Sequence, residues 1–430
     1  MNKTQAHIVK RRNRRNANGS FGLGTTTPAY AWDFVNNKAR FNNINYGVLS
    51  NTPNWTFTRA STGYYTTTGG VLVPFASGSL RTGDRGALIE GAGTNLCLQS
   101  QTFDNASWTK TNVTVTADAA VAPDGTTTAD KVEVTSTSST TLYQQNITVS
   151  ATAATASVYV KNGNLGASDC DDFLIRNVTT STNIAGGKFN WTTGVFTASS
   201  GGTATVTSLT NGWYRITISI ASGITSGDSL RFWVGNAGNT ETAGNYFYAW
   251  GAQLEATAYA SSYIPTTTAS ATRAADSLTV TGVTGLASTL TAFAKIELSG
   301  ADSSISPNVR VAFSVTDGTT NERMYLYNIS GNIGGLTQNG GVTQAAPYVV
   351  GTVPVGTSIK IAYRQDANNF QFCKNGTPGT PDMTGTLPGT PNQICIGGGA
   401  GGAAPLYGYV SQAAIFSRAL SDAELQAVTI

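Results

Sequence analysis

Apolar and polar residues alternate with a period of two through most of the chain beyond residue 107. In Trp213-Tyr214-Arg215-Ile216-Thr217-Ile218-Ser219-Ile220, the side chains of Tyr214, Ile216, Ile218 and Ile220 fall on one side and polar partners on the other, as in a half-buried strand. Leu230, Phe232 and Val234 repeat the pattern. By the same alternation Tyr246, Tyr248, Trp250, Ala252 and Leu254 share a face. Turn clusters (SSGG, NGW, SGD, NAGN) separate these runs and no helical period intervenes, so residues 107–265 predict an antiparallel sandwich. A second series predicts another sandwich over 277–430: Ala294, Ile296 and Leu298, then Val309, Val311, Phe313 and Val315, then Ile359, Ile361 and Tyr363. Within it, Phe370–Gly376 ends in Asn-Gly, a hairpin signal because both residues tolerate positive φ. Ser421-Asp422-Ala423-Glu424 is a capping box that opens one short C-terminal helix.

Outside these modules the pattern weakens. Residues 1–28 read as a basic, then Gly- and Thr-rich, extended arm that orders against a partner. Residues 29–106 carry short apolar runs (WDFVNNKARF, WTFTRAST, GALIEGAGTNLCL) and predict an irregular β anchoring or connecting region. Residues 266–276, the tail of YIPTTTASATRAAD, read as a linker. The predicted fold class is all-β: two antiparallel β-sandwich modules in tandem after an irregular N-terminal anchoring region, with one short C-terminal helix.

Composition agrees. Charged residues make up only 11% of the 430 while hydrophobic ones reach 40%, so Thr, Ser, Asn and Gly must supply the polar surface of a globular chain. The formal charge of +3 is concentrated at Lys10, Arg11, Arg12, Arg14 and Arg15. Cys97, Cys170, Cys373 and Cys395 form no CxxC pair, which argues against zinc ribbons and dithiol redox chemistry and for reduced, buried thiols. The N-terminal residues have no apolar core of a secretory signal, and no stretch approaches the roughly 18 apolar residues of a membrane span.

The runs FTRASTGYYTTTGGVL and GALIEGAGTNLCLQSQTFDNASWTKTNVTVTADAAVAPDGTTTADKVEV, followed by AWGAQLEATAYASSYIPTTTASATRAAD, resemble a recurrent segment of tailed-bacteriophage virion proteins of the head-spike, head-fibre and tail-fibre type. The resemblance spans roughly residues 56–276. It implies that the middle module is a jelly roll similar to carbohydrate-binding modules. FCKNG and the closing YVSQAAIFSRALSDAELQAVT look like a concanavalin or laminin-G type sandwich, with matches at Ile415, Phe416, Arg418, Leu420, Ser421, Glu424 and Leu425. The arm matches nothing in the family, so position on the particle is not implied.

Candidate chemistry is sparse. His7 is the single histidine, which argues against Ser-His-Asp and Cys-His catalysis and His-based metal sites. A glycosidase needs two carboxylates flanking its substrate, and the clustered Asp169, Asp171 and Asp172 belong to one loop. That DCDD loop lacks the Gly and Glu of an EF-hand and reads as a solvated turn rather than a calcium site. GGGAGGAAP has no phosphate-loop lysine. No cofactor and no metal are expected. Aromatics remain, because sugar C–H faces stack on exposed rings. Trp233 is out of phase with Leu230, Phe232 and Val234; Tyr325 and Tyr327 share a face; Trp191 lies near Phe189. Trp191, Trp233, Tyr325 and Tyr327 are the candidate glycan-binding residues, against the alternative that they pack in a second sheet or interface, while Trp213 and Trp250 are assigned to packing.

The reading is a non-enzymatic structural virion protein: a head, neck or tail appendage or decoration, made in the host cytoplasm. The block Lys10, Arg11, Arg12, Arg14 and Arg15 docks onto another virion protein of the capsid, portal, neck or tail. The sandwiches project as a homo-oligomer such as a trimer, touching host-surface polysaccharide or stabilising the particle. Two alternatives stay open: a polysaccharide-degrading tailspike, and a capsid-interior protein whose arm contacts DNA.

Overall fold

The computed structural model describes residues 21–23, 25–136, 141–166, 170–235, 242–299, 309–329, 332–351 and 353–430. The chain divides into two units, each assembled from separated segments: 61–76 with 92–274, and 1–60 with 77–91 and 275–430.

The unit around 92–274 is a sandwich of two six-stranded antiparallel sheets. One runs in the order Trp108–Thr111, Thr141–Thr148, Ser229–Val234, Cys170–Asn177, Thr182–Asn190, Phe196–Ala198. The other runs Val113–Ala120, Ala129–Val134, Tyr246–Glu255, Ala154–Asn162, Trp213–Ile220, Thr203–Ser208. Alternate residues of both fill one core, with Phe173, Ile175, Leu230, Phe232 and Val234 from the first sheet and Val158, Val160, Ile216, Ile218 and Ala249 from the second. Trp213 and Trp250 are buried, as assigned. The predicted single face over Tyr246–Leu254 is split. Phe247 and Ala249 point into the core, whereas Tyr246, Tyr248 and Trp250 point away; beyond Gly251, Ala252 and Leu254 point in. The register against Ala154–Asn162 shifts there, and Gly251 has φ +63, so an extra residue reverses the alternation.

The second unit packs a ten-stranded antiparallel sheet against an eight-stranded one. The larger sheet centres on Gly408–Phe416, flanked by Tyr30–Asp33 and Leu290–Leu298, with Gly86–Ile89 also pairing to residues 408–410. In the smaller sheet Trp55–Thr58 pairs with Ser277–Val280. The region 29–106, read as a separate anchor, is therefore shared out: residues 29–60 and 77–91 belong to this sandwich, and 61–76 and 92–106 to the other. Likewise Ala271–Arg273, within the predicted linker, is a strand paired to Gly93–Asn95. The end of the predicted arm is also built in, because Phe21 and Leu23 pack with Phe416, Leu420, Leu425 and Val428. A register shift between Val311 and Phe313 puts Phe313 and Val315 in the core and Val311 on the far side. The hairpin turns at Asn375 (φ 46) and Gly376 (φ 75), and the capping box opens the helix Asp422–Thr429.

The residues of the quoted motifs form buried polar networks. Arg59 bonds one oxygen of Asp276, and Arg81 bonds the other at 2.5 Å and Glu90 at 2.6 Å, with all four residues buried. In the other unit Asn95 donates to the carbonyls of Ala252 and Ile264 and accepts from the amides of Cys97 and Leu254. Glu255 accepts from Ser261 and Gln253.

Candidate functional site

Strand Ser229–Val234 buries Leu230, Phe232 and Val234, so Arg231 and Trp233 emerge on the opposite face of the sheet. The register sets Trp233 between Tyr143 on one neighbouring strand and Leu174 on the other, and sets Arg231 directly opposite Arg176. Tyr143 and Trp233 stack with ring centroids 5.0 Å apart and planes 18° from parallel, both half-buried. The Arg231 guanidinium carbon lies 4.9 Å from the Tyr143 ring centroid. Arg176 donates to Asn183 Oδ1 at 3.0 Å. Toward the other end of the strand, Asp172 stands opposite Lys188. Burial pushes the Asp172 carboxyl above the usual carboxylate range and Lys188 opposes that rise.

Three polar atoms of this face, Trp233 Nε1, Arg231 Nε and Asp172 Oδ1, are buried without a hydrogen-bond partner among the described residues. Unmet donors and acceptors beside a stacked aromatic pair suit a ligand with a ring face and polar substituents.

Trp233 thus faces outward. Trp191 does not: it is 4% exposed, packed on Phe189 at 5.0 Å and Phe247 at 5.5 Å, and a core ring has no face for a sugar. Tyr325 and Tyr327 do share a face, on the far side of their sheet, but at 9% and 8% exposure they are covered by Val309, Ile329, Leu336 and Ala404 and form an apolar packing cluster. Lys10, Arg11, Arg12, Arg14, Arg15 and Asp169 lie outside the described residues.

Sequence reasoning missed Tyr143, Arg176 and Arg231. Arg231 was accessible, since two residues before Trp233 on a strand is the same face. Tyr143 and Arg176 come to the site only through strand pairing.

A second aromatic surface lies on the outside of the other sheet, where Tyr246 and Tyr248 meet edge to face at 5.6 Å and Lys131 sits 4.4 Å from the Tyr246 ring centroid. There Lys131 is closed by Glu133 at 2.6 Å. In the other unit, Tyr348, Pro347, Pro381, Asp382 and Met383 line an open cleft of about 520 Å³. Among the described residues no group of three or more His, Cys, Asp or Glu is placed to hold a metal, and no helix is long and apolar enough to cross a membrane.

No protein-family model matches the chain, and no curated protein is similar to it in sequence. Similar solved structures include domain 4 of AbnA, a GH43 extracellular arabinanase from Geobacillus stearothermophilus (14% identity, 40% of this chain and 81% of that one, TM-score 0.29). A xylan-binding domain from Paenibacillus barcinonensis matches at 14% identity over 39% of this chain and 96% of its own (TM-score 0.25). Laminin-G domains 4–5 of the mouse laminin α1 chain match at 11% identity over 66% and 92% (TM-score 0.22). These are β-sandwich domains, and at such scores the likeness carries no argument about what this chain does.

Proposed function

We propose that the chain is a non-enzymatic structural protein whose residue 92–274 sandwich contacts glycans through the Tyr143–Trp233 face. The observation that carries this reading is the ring pair itself: an outward aromatic stack on a sheet, beside polar atoms that have no hydrogen-bond partner among the described residues. Cleavage would need a second carboxylate placed across the substrate, and among the described strand residues of this face Asp172 stands alone. The resemblance of residues 56–276 to tailed-phage virion proteins supplies the setting: an appendage or decoration docked on another virion protein through Lys10, Arg11, Arg12, Arg14 and Arg15, in an oligomer such as a trimer. Repeated copies would convert weak single-site contacts into avidity.

The test is to titrate the full chain with soluble host-surface polysaccharides while following polymer length. Trp233→Ala and Tyr143→Ala are each expected to weaken binding about tenfold or more, ~1.4 kcal/mol, with polymer length unchanged on incubation. Unaltered binding in both variants overturns the site, and shortening of the polymer overturns the non-enzymatic reading. Imaging of particles with an antibody to the chain tests the setting, which falls if purified particles carry no label.

A further inference from the structure

We propose that the glycan held at this face is acidic, with its carboxylate, sulfate or phosphate group seated between Arg176 and Arg231; this rests on the glycan reading above. The two arginines are direct cross-strand partners, both half-buried, on the middle strands of a six-stranded sheet. Like charges directly opposite one another in a sheet destabilise it. The fold shows elsewhere how it handles such a pair: Arg59 and Arg81 are brought together around the carboxylate of Asp276, one oxygen for each. Arg85 meets Glu297, Arg364 meets Asp422 and Arg418 meets Glu424. Among the described residues no carboxylate pairs with Arg176 or Arg231. Arg176 has the neutral amide oxygen of Asn183, Arg231 has the ring of Tyr143, and Arg231 Nε has no acceptor among the described residues. Each guanidinium is a planar fork of five N–H donors, shaped for two-point contact with an oxyanion, so the pair leaves a bridging position for one. Tyr143 and Trp233 adjoin that position and would take the ring that carries the acid.

An array pairing acidic polysaccharides (polygalacturonate, alginate, chondroitin sulfate) with their carboxyl-reduced or desulfated counterparts tests this on the full chain. At least one acidic member is expected to bind tenfold or more tighter than its neutral counterpart, with the preference shrinking as NaCl rises from about 50 to 300 mM. The double variant Arg176→Gln/Arg231→Gln should lose that preference, acidic members falling to the affinity of their neutral counterparts in the same variant. Its melting temperature should equal or exceed that of the native chain, because relieving the like-charge pair removes a penalty, which guards against loss through misfolding. If acidic and neutral partners bind equally and Trp233→Ala weakens both, the acidic preference is overturned and the glycan reading stands. If no member binds, both fall. If duplex DNA binds as tightly, is lost in the arginine variant and is indifferent to Trp233→Ala, the face reads charge alone and the proposal is overturned.

Discussion

Arg81 has a fully buried side chain whose two terminal nitrogens reach Glu90 and Asp276. Removing it would leave the Glu90 and Asp276 carboxylates buried without its charge, and stripping one partner from a buried ion pair costs about 3–5 kcal/mol. Arg81→Met is therefore expected to lower unfolding free energy by about that amount in denaturant titrations, far more than loss of an exposed arginine. Asp130, buried and accepting from the amides of Phe103 and Asp118, shows a different balance: burial dominates and its carboxyl is pushed up from 3.8 to about 6. A carboxyl whose pKa is raised by folding contributes its stability below the unfolded value and loses it as pH rises through the folded one. Stability should thus decline from about pH 4 to about pH 6 in the native chain relative to Asp130→Asn, checked by unfolding at a series of pH values. At this scale Trp233 was legible from alternation alone. Its stacking partner Tyr143, and Arg176 opposite Arg231, were not, since no local pattern encodes which strands adjoin.

Gly251 decides the orientation of a whole strand. Its φ of +63 and a Cβ that would fall 2.9 Å from Tyr159 Cδ2 favour glycine, and the bulge there turns Tyr246, Tyr248 and Trp250 outward while Ala252 and Leu254 turn in. Gly251→Ala is expected to cost about 1–3 kcal/mol of stability, measurable as a lowered denaturation midpoint. The helix Asp422–Thr429 depends on Ser421, whose side chain accepts from the Glu424 amide while Glu424 bonds back. Ser421→Ala should cost about 1 kcal/mol, again read from the denaturation midpoint. Elements with their own local chemistry, the capped helix and the Asn375-Gly376 hairpin, were readable in advance. Bulges at Gly251 and between Val311 and Phe313 were not, because strict alternation has no way to signal a skipped residue.

For the whole molecule, the two sandwiches were legible but their membership was not. Residues 29–60 carry short, weakly alternating runs, and only tertiary pairing reveals that Tyr30–Asp33 lies beside Gln412–Ile415. A fragment of residues 277–430 would lack both that strand and Gly86–Ile89, leaving the central strand Gly408–Phe416 unpaired along one edge. It is expected to be largely unfolded or aggregated, with weak strand dichroism, whereas a chain restoring residues 21–91 should recover it. The same pairing imposes an order of events during synthesis. Tyr30–Asp33 leaves the ribosome well before its partner strand, a wait of roughly 20–75 s at ordinary elongation rates of about 5–20 residues per second. Throughout that interval the segment's apolar Tyr30, Ala31 and Trp32 can pair with the adjacent Lys38–Phe41 but lack the strand Gln412–Ile415 that completes their burial. The nascent protein carries a half-paired apolar stretch while the 92–274 sandwich can already close, so yield in a producing cell should depend on chaperone capacity more than the finished fold would suggest.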